Sequence, residues 1–108
     1  MADEINEVVY VGRDNAIILQ LTEGGVYATL DDVSRMVVDL GAVEVDSAID
    51  PDLVSWDGSE VTLKLGTADG IATLGKSATA RLIVYTPENP HGIVWIARFR
   101  LRIVNELT

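Results

Sequence analysis

"DDVSRMVVDL", residues 31–40, is the stretch on which the fold class turns. Val33, Met36, Val37 and Leu40 fall at the i, i+3, i+4, i+7 spacing of a helix face. Asp31 would then be the N-cap and Gly41 the residue just past the helix end. The same segment also alternates, with Met36, Val38 and Leu40 on one side and Arg35, Val37 and Asp39 on the other. Its three valines favour a strand, because β-branched side chains fit a pleated surface. The strand is the better reading, and with it no long helical period is left in the chain.

Outward from this segment, short apolar runs recur between Gly, Asp, Asn and Pro, the punctuation of an all-β sandwich or barrel. Toward the N-terminus, Val8–Val11 and Ala16–Leu21 read as strands around the turn Gly12–Asn15. Thr22–Gly25 is a second turn, with paired glycines that accept positive φ at little steric cost. Val26–Leu30 is a short strand or extended loop. Toward the C-terminus, Val43–Val45 is a short strand, and "SAIDPDLVSWDGSE" (47–60) reads as a loop carrying Leu53–Trp56 and ending in an Asp57-Gly58 turn. Glu60–Leu65 is the cleanest strand, with Val61, Leu63 and Leu65 facing in. Gly66–Ser77 is glycine-rich and anchored by Ile71 and Leu74. Ala78–Tyr85 and Ile93–Val104 are strands around a "TPENPHG" turn. The expectation is a single domain over residues 1–108, with 1–7 and 105–108 frayed. Its architecture is one antiparallel β-sandwich of about seven or eight strands.

The chain has 108 residues, no cysteine and a formal net charge of -9. Disulfides, thiolate metal sites and cysteine nucleophiles are excluded. Residues 1–75 carry 15 Asp/Glu against 3 Lys/Arg, whereas residues 76–108 carry 2 against 5. An acidic body is repelled by nucleic acid and by anionic membranes, so neither is an expected partner. The longest apolar run, Ile93–Ala97, is far short of the roughly 20 residues of a spanning helix. The acidic start Met1-Ala2-Asp3-Glu4 lacks a following apolar run, so no secretory signal is expected and synthesis is assigned to the cytoplasm.

Against that acidic background, "VWIARFRLRI" (94–103) sets Arg98, Arg100 and Arg102 in alternation with Ala97, Phe99, Leu101 and Ile103. On a strand the three arginines share one face over roughly 13 Å. Three readings stay open. The row is solvated surface paired with Asp39, Glu44 or Glu60; or it is a contact for an acidic neighbour, including a second copy; or it is a weak nucleic-acid footprint, which the net charge opposes. The row is the candidate protein interface.

Other chemistry is sparse. Glu44, Asp46, Asp50, Asp52 and Asp57 cluster in sequence, but the EF-hand ligand order is missing, and Asp-Pro and Asp-Gly are turn dipeptides. His91 sits between Pro90 and Gly92 with no nucleophile motif to serve. Trp95 belongs to the apolar face of its strand, and Trp56 flanks a turn. No catalytic residue, cofactor site or metal site is expected, and the chain is expected not to be an enzyme.

The order of segments carries one further lead. In "GRDNAIILQLTEGGVYATLDDVSRMVVDLG" (12–41), an alternating strand precedes a glycine turn and a Leu30-Asp31-Asp32-Val33-Ser34-Arg35-Met36 segment. Together with "VDSA", "VTLKLG" and "ARLIVYTPENPHGIVW", this resembles small immunoglobulin-like β-sandwich structural proteins of tailed bacteriophages. The layout is similar to the baseplate upper protein N-terminal domain, over about Val8–Val104. The resemblance implies a tail, baseplate, neck or capsid-surface component of the virion, made in the bacterial cytoplasm. Its implied partners are other virion proteins and copies of itself. No ligand motif carries over. The alternative is a carbohydrate- or calcium-binding module using residues 44–57 and Trp56.

Overall fold

In the computed structural model, which describes residues 6–105, the deciding segment is a strand, β5 (Arg35–Asp39). It lies between two antiparallel neighbours, β9 (Ser77–Thr86) and β6 (Glu44–Asp46), with Val37 opposite both Ile83 and Asp46. Met36, Val37 and Val38 are all buried, Val37 to 2% exposure although it faces away from Met36 and Val38. Burial on both faces is what breaks the alternation and imitates a helical spacing. Gly41 takes its positive φ in the β5–β6 hairpin, where its N–H donates to Asp39 Oδ1 at 2.9 Å.

The sheet containing β5 has five strands in the order β1-β10-β9-β5-β6, with β1 at Asn6–Tyr10 and β10 at Asn89–Val104. β1 runs parallel to β10; the other pairs are antiparallel. A second sheet orders β2 (Ile17–Gln20), β8 (Glu60–Leu63) and β7 (Val54–Asp57) as β2-β8-β7. A two-stranded hairpin, β3 (Thr22–Glu23) and β4 (Val26–Tyr27), stands apart on the β2–β5 connection. Two 3-10 turns, Leu65–Thr67 and Ile71–Leu74, link β8 to β9.

One hydrophobic cluster joins the two sheets into an all-β, sandwich-like fold. Val9, Met36, Val38, Val45, Leu82, Val84, Phe99 and Leu101 meet Ile17, Leu19, Val54, Val61 and Leu63. Leu65, Ala68 and Ile71 join the same cluster. Gly66 ties the turn after β1 to the turn after β8. Its carbonyl accepts from Gly12 N–H at 2.7 Å, and a Cβ there would overlap the carbonyl oxygens of Tyr10 and Arg13.

Three expectations change. Val54–Asp57, expected in a loop, is a strand, joined to β8 by Gly58-Ser59 with Gly58 at φ 62, the glycine-first form of a two-residue hairpin loop. The "TPENPHG" turn is only Pro87-Glu88, because β10 begins at Asn89. The inward face expected from Ile93 to Ile103 holds in full for Phe99, Leu101 and Ile103, and in part for Trp95, which packs against the core. Register shifts between Asn89 and Ile93, Val94 and Ile96, and Ile96 and Phe99 interrupt the alternation, leaving Ile93 and Ala97 exposed and Trp95 half-buried. Of the ends expected to fray, Asn6 and Glu7 belong to β1, while 1–5 and 106–108 lie outside the described residues.

Candidate interaction surface

The arginine row is set by where β10 stops being irregular. From Phe99 onward the strand pairs residue by residue with β9, so Phe99, Leu101 and Ile103 point into the core and Arg100 and Arg102 point away from it. Arg98, Arg100 and Arg102 are all exposed. In register, Arg100 lies between Asn6 and Thr79, and Arg102 between Val8 and Ser77. Glu7, on β1 opposite Leu101, shares a depression with Arg100 and Arg102, but among the described residues none of the three arginines forms an ion pair.

The carboxylates expected as partners are placed elsewhere. Asp39 is held by Arg81 at 2.6 Å. That hydrogen bond, with Gly41 N–H, keeps the Asp39 carboxyl below its usual range. Glu60 is on the other sheet. Glu44 is on β6, three strands from β10, or about 14 Å across the sheet.

Asp46 is 7% exposed and is gripped by Arg35, which donates from Nε to Oδ1 at 2.9 Å and from Nη2 to Oδ2. Arg35, then Ala48 N–H, pull the Asp46 carboxyl down against the opposing effect of burial. Arg35 also lies over the Tyr85 ring, 4.6 Å from its centroid. Sequence reasoning missed this cluster. Its trace was there: Arg35 and Asp46 hold positions that face the same side of adjacent strands.

Two open depressions flank Arg102. One, of about 260 Å³, is lined by Glu7, Val8, Ser77, Leu101, Arg100 and Arg102. The other, of about 420 Å³, lies between Gly75, Lys76, Arg102 and Asn105. Both are shallow, a shape suited to a protein side chain rather than to an enclosed small molecule.

The acidic segment does not converge. Glu44 and Asp46 are on β6, Asp50 and Asp52 in the turns that cross between sheets, and Asp57 at the end of β7. Among the described residues no three carboxylates or histidines gather into a group that would hold a metal ion. Trp56 is half-buried against the core, as is Trp95. His91 is exposed on the irregular part of β10. Val26 and Tyr27, at the tip of the β3–β4 hairpin, are the most exposed large residues beside Ile49.

In comparisons with protein-family models, curated proteins and solved structures, nothing matches the chain.

Proposed function

We propose that this chain is a non-enzymatic structural or assembly protein that works through protein–protein contacts of its five-stranded face, as a component of a tailed-phage or prophage particle. The observation that carries the contact reading is the row Arg98, Arg100 and Arg102: exposed, and without an ion pair among the described residues, in a chain of net charge -9. Ordinary solvated arginines on an acidic protein would find carboxylates on neighbouring strands. Here Asp39 and Asp46 are bound by Arg81 and Arg35, Glu44 lies three strands away, and Glu7, beside the row on β1, forms no ion pair with it among the described residues. Arginine suits a contact because its planar fork hydrogen-bonds and its stem packs.

The strand order supports an immunoglobulin-like identity for the sandwich. Lettered in chain order, β10-β9-β5-β6 corresponds to G-F-C-C′ and β2-β8-β7 to B-E-D, with β1 as an A strand on G. The particle assignment rests on the sequence resemblance and on the fit of a multi-copy role with complementary charge. It is tested by mass spectrometry of purified particles from a host carrying the gene. The expected result is this chain at many copies per particle, with R98E/R100E/R102E folded in the cytoplasm but depleted from particles. Particles that lack the chain would contradict the reading.

A further inference from the structure

The two outer faces of the sandwich carry opposite and mutually unsatisfied charge. On the five-stranded face, five arginines (35, 81, 98, 100 and 102) outnumber Asp39, Glu44 and Asp46, two of which are already bound. They still outnumber the carboxylates when Glu7, at the edge of the depression beside Arg100 and Arg102, is added. On the three-stranded face, Asp57 and Glu60 are exposed and lie directly opposite each other in the β7–β8 register. Like charges directly opposite on paired strands repel. Among the described residues neither has a cation in contact. Lys64, the basic residue on that face, is four positions along from Glu60, roughly 13 Å. In the next row, Ile18 is 56% exposed opposite Thr62, and on the arginine strand Val94 is 50% exposed. Each face thus presents unneutralised charge together with one bare aliphatic side chain.

We infer that the arginine row of one copy docks on the Asp57–Glu60 pair of a second copy, so that chains associate head to tail. This rests on the contact reading of the arginine row and adds the receiving surface. A guanidinium entering between Asp57 and Glu60 relieves their repulsion and donates hydrogen bonds to both carboxylates. A two-fold pairing of five-stranded faces is the poorer solution, because it sets two cationic faces against each other. The two outer faces of a two-layer sandwich point in opposite directions, so this contact joins unlike surfaces and does not close on itself in a dimer. Repetition yields a ring or a file.

The test uses charge-neutral variants of the full chain. R98Q/R100Q/R102Q keeps only the acidic face, and D57N/E60Q keeps only the arginine face. Light scattering at low salt should give a wild-type mass that climbs past dimer with concentration, and monomers for each variant alone. An equimolar mixture of the two variants should give a 1:1 complex that stops growing. D57N/E60Q should melt no lower than the wild type, since the substitution removes a repulsion, so a monomer of this variant is not a misfolded one. If D57N/E60Q assembles like the wild type while the arginine variant does not, the receiving surface is overturned and the contact reading stands. If the arginine variant assembles like the wild type, both fall. A wild type that stays monomeric at every concentration, or a mixture that stays monomeric, overturns the head-to-tail contact.

Discussion

Asp46 is the residue at which charge and burial are most tightly coupled. Arg35 offers it two hydrogen bonds and Ala48 N–H a third, at a site with little access to water. Removing the guanidinium leaves a carboxylate with one of its three hydrogen bonds, so Arg35→Ala should cost about 2 kcal/mol in urea unfolding at neutral pH. Asp39 and Asp46 both have folded-state values lowered relative to the unfolded chain. Their contribution is therefore complete above the unfolded value of about 4 and is lost as pH falls through the lower folded values. Stability should decline on acidification from about pH 5, and Asp46→Asn should flatten that decline. A slope unchanged in the variant would assign acid sensitivity to other groups. Gly66 makes a second prediction. Because its missing Cβ would meet backbone oxygens rather than a movable side chain, Gly66→Ala should cost about 3 kcal/mol or more, at or above the top of the overpacking range. Gly24→Ala, at φ 62 with open space around it, should cost about 1–2 kcal/mol from backbone strain alone. Equal losses for the two would contradict the close approach at Gly66.

At the scale of elements, β10 is two strands in one. Its last third is covered by β1 on one side and β9 on the other, while from Asn89 to Arg98 only β9 pairs with it among the described residues, and with interrupted register. Amide hydrogen exchange should therefore be at least about tenfold slower at Phe99–Ile103 than at Val94–Ala97. Uniform protection along β10 would show that the irregularities do not weaken it. The same strand shows how far the sequence could be read. Alternation of Arg98, Arg100 and Arg102 with Phe99, Leu101 and Ile103 is visible in the letters, because those positions really are half in water. The bulges before it are not, because a register shift depends on the partner strand. Val54–Asp57 was hidden for a related reason: four residues between Asp-Pro and Asp-Gly have the composition of a loop, and only pairing with β8 makes them a strand. Of residues 31–40, read as a strand from their valines, Arg35–Asp39 form one, while 31–34 are the turn before it; burial on both faces blurred the period. The candidate surface was legible as a row of arginines. That Asp39 is bound by Arg81, and Asp46 by Arg35, is a tertiary fact with no local signature.

At the scale of the whole molecule, charge is sorted by face. The acidic balance that argues against nucleic acid is carried by loops and by the three-stranded side, while the five-stranded side is cationic. Such sorting is costly for an isolated monomer, which leaves charges of each sign unneutralised, and it becomes favourable when another protein covers them. Contacts of this kind weaken as salt shortens the range of charge interactions, from about 14 Å at 0.05 M to about 4 Å at 0.5 M. The direct measurement is the mass of the wild type and of R98E/R100E/R102E by light scattering, over a concentration series at these two salt levels, with circular dichroism to show both are folded. The account predicts a wild-type mass that rises with concentration at low salt and falls to the monomer at high salt, and a variant that is monomeric throughout. Identical masses for the two proteins under every condition would contradict it.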